Sequence, residues 1–93
     1  MQSIVAFVVR DGDAYGVMFP DFPGALTGGD TRNEALGRAR DTIQAHVEAL
    51  IEADMPLPEL RSIDAIEADE SLAGLRKEAD MVAVIEISEN EAA

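Results

Sequence analysis

The sequence predicts an α+β domain: three antiparallel strands, one long helix, and a fourth strand parallel to the first. Three observations carry that reading. Ile4–Val9 is an unbroken, β-branched apolar run. A helix-period apolar stripe opens after Thr31 and continues to Ile51. Met81–Ile87 (MVAVIEI) is a second strand-like run, set far from the first. At 93 residues the chain suits one domain, residues 1–93, and no internal repeat or composition break suggests another.

Both alternating faces of IVAFVV are apolar: Ile4, Ala6 and Val8 on one, Val5, Phe7 and Val9 on the other. Such a strand belongs at the centre of a sheet and needs cover on both sides. Asp11-Gly12-Asp13 breaks the run and AYGVMF follows, which reads as a hairpin whose glycine supplies the positive φ of the return. In the second strand Tyr15, Val17 and Phe19 share a face, and Gly16 and Met18 the other. Pro20 and Pro23 stop regular pairing because proline cannot donate to a ladder. Between them, Asp21 can bond its downstream backbone and Phe22 should pack inward, while Gly24 lets the chain reverse. Ala25–Thr27 predicts a short edge strand ended by Gly28-Gly29.

The helix start is the clearest local signal. Asp30 or Thr31 is the N-cap, and Thr31 and Glu34 stand at capping-box spacing. Leu36, Ala39, Ile43, Val47, Leu50 and Ile51 recur at steps that form one helical face. Gly37 inside that pattern suggests a close approach to the sheet, and Pro56 and Pro58 end the helix near Ala53. Met55–Arg61 reads as linker. Ser62 can cap a short turn carrying Ile63 and Ile66, and Leu72 and Leu75 are the apolar points of an acidic, weakly patterned stretch. Glu89–Ala93 reads as a frayed tail. One crossover from the long helix into Met81–Ile87 predicts a fourth strand parallel to and beside the first. One helix covers one sheet face, so self-association or a partner protein is expected on the uncovered face or at a free edge.

Composition narrows the function. Nineteen acidic against seven basic residues give a net charge of −12. Residues 1–47 hold six acids and four bases (−2), and residues 48–93 hold thirteen acids and three bases (−10). Phosphate backbones require a basic footprint, so a nucleic acid is not the expected partner and a basic protein is. There are no cysteines, which excludes disulfides and thiolate metal sites. MQSIVAFVVR has no basic leader and too short an apolar run for a signal peptide or a span, so a cytoplasmic protein is expected. His46 is the only histidine and lies at the margin of the helix stripe, without the nucleophile and orienting group of a triad. Asp11, Asp13 and Asp21 lack metal-ligand spacing, and Gly28-Gly29 has no following Lys and an adjacent Asp30 that repels phosphate. No catalytic residue, metal ligand or cofactor site is assigned.

Taken together, Tyr15, Phe19, Pro20, Asp21, Phe22, Pro23 and Gly24, then Thr27, Gly29, Asp30 and Thr31, then Glu34, Ala35, Leu36 and Ala39 form a distinctive pattern. It consists of a tyrosine-bearing strand, a Phe-Pro-Asp-Phe-Pro-Gly turn, a Thr-x-Gly-Asp-Thr link and a Glu-Ala-Leu helix start. This resembles the N-terminal domain of HicB-family antitoxins over residues 1 to about 60, and more loosely over the return strand. Ala25 departs from the family, which usually has Cys there. The resemblance implies a partial RNase H-like fold without its strand carboxylate, no hydrolytic activity, and self-association as a dimer or tetramer. It also implies a function: to bind and neutralise a small basic HicA-type toxin that cleaves mRNA. Many family members continue into a DNA-binding domain; none is expected within these residues, so operator binding is not assigned to them. The alternative is a stand-alone, oligomeric HicB-like binding module without a cognate toxin.

Overall fold

The computed structural model describes residues 2–87. The tail expected at Glu89–Ala93 lies outside them. The elements are β1 (Gln2–Asp11), β2 (Ala14–Met18), β3 (Leu26–Gly29), α1 (Arg32–Glu52), α2 (Ile63–Glu67), a 3-10 turn (Glu70–Leu72), α3 (Ala73–Glu78) and β4 (Met81–Ile87). They form a four-stranded sheet in the order β3-β2-β1-β4, with β1 central as its two apolar faces require. The hairpin is tighter than the sequence suggested. Asp11 pairs with Ala14, leaving a two-residue turn in which Gly12 takes φ 62°.

The fourth strand corrects the predicted topology: β4 is antiparallel to β1, with Ile4 opposite Ile85 and Val8 opposite Met81. The route of the chain explains why. Arg32, at the start of α1, pairs with Asp80 at the start of β4, and the Asp80 amide donates to the Val8 carbonyl at 2.6 Å. At the other end, Val47 late in α1 lines one cavity with Gln2 and Ile87. The helix α1 therefore runs from the Val8 end of β1 to its Gln2 end. Residues 53–79 then carry the chain back across the opposite face, so β4 enters from the Val8 end. The predicted parallel strand assumed one traverse between strands, whereas the chain makes two.

That second traverse also removes the expected vacancy. Val5, Phe7 and Ile66 form a buried cluster with Ile63, Leu72, Leu75, Ala79 and Val82 packed against it. The acidic 62–80 stretch is thus the cover of the second face, and the apolar residues of β1 on that side are not left bare. The first face holds the larger core: Ile4, Ala6, Val8, Val17, Phe19, Phe22, Ala35, Ala39, Ile43 and Val47, closed by Ile85 and Ile87.

Helix α1 begins as its sequence dictates. The Glu34 amide donates to Thr31 Oγ1 at 3.0 Å, and the Glu34 carboxylate reaches back to the Asp30 amide at 3.3 Å. It ends before either proline. The Asp54 amide donates to the Ile51 carbonyl and the Met55 amide to the Leu50 carbonyl, with Asp54 at φ 57°, a Schellman closure. Gly37 does not mark close approach, since a Cβ there would meet nothing within 4 Å. The close approaches are at Gly28 and Gly29, which lie inside β3 rather than after it. A Cβ on Gly28 would sit 2.5 Å from the Tyr15 carbonyl oxygen, and one on Gly29 would sit 2.7 Å from the Ala35 nitrogen.

Candidate functional site

The turn after β2 ties the two layers together. The Phe22 amide donates to the Phe19 carbonyl and the Ala25 amide to the Phe22 carbonyl, each at 2.9 Å, so the segment between the prolines is two successive tight turns. They place Phe19, Phe22 and Ala25 in the core. The Phe22 ring meets His46 edge-on at 5.7 Å, which makes the histidine a half-buried packing partner at the helix margin.

Asp21 is the one buried charged residue among those described, at 8% exposure. Arg61 supplies its partners. The Arg61 backbone amide donates to Oδ2 at 2.9 Å and its Nε donates to Oδ1 at 2.6 Å. The same guanidinium reaches Asp69 through Nη1 at 2.8 Å. Asp69 in turn accepts from the Ser71 hydroxyl and amide and caps the 3-10 turn. Those Ser71 bonds, and then Arg61, hold the Asp69 carboxyl below its ordinary range, while Asp21 and then Asp69 raise the guanidinium. A buried carboxylate is costly unless paired and fully bonded. Asp21 meets both conditions by drawing the linker onto the turn, which positions α2 over Phe7.

A second cluster lies where β2, α1 and β4 begin or end. Tyr15 is half-buried, with the Arg32 guanidinium 5.2 Å from its ring centroid. Arg32 donates to both oxygens of Asp80, at 2.6 and 3.0 Å. This bond lowers the Asp80 carboxyl and raises the guanidinium. An open hollow beside it is lined by Asp13, Tyr15, Asp30, Thr31, Arg32 and Asn33.

The structure therefore gathers the motif into a frame. Phe19, Asp21, Phe22 and Gly29 are buried, Tyr15 and Pro20 are half-buried, Thr31 and Glu34 cap α1, and Pro23, Gly24 and Asp30 face solvent. Among the described residues, no three His, Cys, Asp or Glu side chains come together in a way that could hold a metal ion. Sequence reasoning missed Arg61, Asp69 and the Arg32–Asp80 pair. One signal was present: Arg61 is the lone base between Arg40 and Arg76 in an acidic tract.

The family described as HicB-like antitoxin of bacterial toxin-antitoxin systems matches residues 4–92. The chain belongs to this family. It is 40% identical over 66 residues to antitoxin HicB 2 of Photorhabdus laumondii, covering 69% of this chain and 48% of that protein. It is also 40% identical over 52 residues to an uncharacterised 14.9 kDa protein of Haemophilus phage HP1, covering 56% of this chain and 39% of that one. The matched region thus spans about half or less of each relative. The fold superposes on the crystallised N-terminal domain of Burkholderia pseudomallei antitoxin HicB with a TM-score of 0.76 at 29% identity, covering 94% of this chain and 99% of that domain. A chain of the HicA3–HicB3 toxin-antitoxin complex shares the fold, with a TM-score of 0.72 at 23% identity, over 94% of this chain and 99% of that one. No helix among the described residues is long and apolar enough to cross a membrane.

Proposed function

We propose that this HicB-family chain binds and neutralises a small, basic, mRNA-cleaving HicA-type toxin in the cytoplasm, and that it does so by occupying the toxin rather than by chemistry of its own. Family membership across residues 4–92 is the observation that carries the reading. Charge supports it: of the net −12, −10 lies in residues 48–93, where Asp64, Glu67, Glu70 and Glu78 are exposed on the second layer. A cationic partner is steered to such a surface and held more weakly as salt rises. A chain of the same fold occurs in a solved HicA3–HicB3 toxin-antitoxin complex. The motif residues Tyr15, Phe19–Gly24, Gly29–Thr31 and Glu34 then serve as the frame that fixes the partner surface. The chain works as a dimer or tetramer, without a cofactor, and operator binding is not assigned to these residues.

The test is co-expression with a HicA-type toxin from the same genome. Expected are restored growth and near-stoichiometric co-purification that raised salt releases. Unrelieved toxicity with no captured toxin overturns the reading in favour of a stand-alone oligomeric module.

A further inference from the structure

The two edges of the sheet are built differently. At β3, four residues long, the Gly28 carbonyl that points away from β2 accepts from Arg38 Nη1 at 3.2 Å. That edge is short and capped, a usual way to prevent strand addition. At the other edge β4 runs seven residues, Met81–Ile87, without Pro or Lys and with Glu86 as its one charge. Its outward groups follow from the hairpin. A two-residue turn makes Asp11 and Ala14 a hydrogen-bonded pair, so odd residues of β1 bond to β2 and even residues face β4. The Val8 carbonyl, which accepts from the Asp80 amide, points that way. The β1–β4 register then turns odd residues of β4 inward and directs the N–H and C=O of Val82, Val84 and Glu86 outward. Among the described residues no strand lies beyond β4. Val84 is 48% exposed beside the groove that Leu36 and Arg40 of α1 form with the strand.

We propose that this edge is a self-pairing surface: two copies of the chain join antiparallel through Met81–Ile87 about Val84, making one continuous sheet. The inference rests on the self-association in the proposed function and assigns it a place. Val84 is the midpoint of the strand, so a two-fold axis there sets Val84 opposite Val84 and Val82 opposite Glu86, and both pairs have outward backbone groups. Two chains of charge −12 repel one another at long range, so a self-pairing surface must avoid placing acids together. Within Met81–Ile87 this register sets no two acids opposite one another, and a β-branched pair closes the centre.

Sedimentation equilibrium tests it. The wild type is expected at twice the 9.9 kDa chain mass. Val84→Pro removes an outward N–H and no bond to β1, and should halve the mass with the circular dichroism retained. Val84→Lys lowers the net charge, yet sets like charges opposite and should weaken dimerisation at least tenfold. As the chain has no cysteine, Val84→Cys should give a covalent dimer with a short bis-maleimide. If Val84→Pro unfolds, Val84→Lys decides. A wild-type monomer overturns self-association itself. A dimer that persists in both variants leaves self-association standing and overturns the β4 edge. Toxin capture by the same samples reports separately on the antitoxin reading.

Discussion

The two faces of the sheet are covered by different means. One lies under a single 21-residue helix with a side-chain cap at its start and a Schellman closure at its end. The other lies under a five-residue helix, a 3-10 turn and a six-residue helix, with only Ile66 fully buried among them. Short helices are marginal alone, so their order must come from tertiary contacts. Here those are the Phe7 cluster and the Arg61 clasp. A long helix declares itself locally, whereas a cover of short pieces depends on residues distant in sequence.

The largest effect should come from removing the central ring of either face. Phe7 is 0% and Phe22 3% exposed, and Phe→Ala at such sites costs about 3–5 kcal/mol. Urea unfolding of Phe7→Ala and Phe22→Ala should therefore show comparable losses. A Phe7→Ala variant that melts like the wild type would mean that the second layer is not part of the cooperative unit. Next is the clasp. Arg61→Ala leaves the buried Asp21 carboxylate short of a partner, at a cost of about 1–3 kcal/mol. The loss should appear as faster amide exchange in α2 and α3 than in α1, and Arg61→Lys should not restore it because lysine lacks the planar fork. Equal acceleration across both layers would show that the clasp does not act selectively on the second cover.

These contrasts explain what was legible. The presence of four strands, the faces of β1 and β2, the Thr31 cap and the short helix at Ser62 all rest on local patterns and each stands, although β3 lies at Leu26–Gly29 rather than Ala25–Thr27. The direction of β4 does not rest on one. It depends on whether residues 53–79 cross the sheet again, which Ile63, Ile66, Leu72 and Leu75 in the acidic 62–80 stretch do not announce. The Arg61 contact to Asp21 spans 40 residues and leaves only a lone base as its trace. Gly37 and Gly28-Gly29 show the limit from another side. Glycine identity says that a Cβ is missing but not whether anything occupies its place, and only the Gly28-Gly29 pair is crowded. Of the candidate site, the turn and cap were readable because their bonds are local, while the ion pairs that join the layers were not.

The ends of α1 give smaller effects of opposite sign. Thr31→Ala removes the Oγ1 acceptor of the Glu34 amide and should cost about 1 kcal/mol. Asp54 holds a positive φ that glycine adopts freely, and relief of that left-handed conformation is worth up to about 1 kcal/mol. Thermal melts should place Thr31→Ala below and Asp54→Gly above the wild type. A destabilised Asp54→Gly would show that the aspartate side chain contributes more at the closure than its backbone costs.

The smallest effects are electrostatic and shared by both covers. Arg32–Asp80 joins the start of α1 to β4, and Arg61–Asp69 joins the linker to the 3-10 turn. Both carboxyls titrate below their ordinary value of 3.8 in the folded chain. The unfolded chain therefore takes up protons first as pH falls. Each pair contributes stability that is fully present above the ordinary carboxylate range and is lost on descending through it. Asp80→Asn and Asp69→Asn should each lower the melting temperature slightly at pH 7, and the gap from the wild type should close on acidification below pH ~4. The bonds differ in their solvent surroundings, since the Arg32 side chain is 53% exposed and that of Arg61 32%. Added salt should therefore shrink the Asp80 gap more than the Asp69 gap. A gap unchanged from pH 7 to 3 would assign the loss to packing rather than to charge.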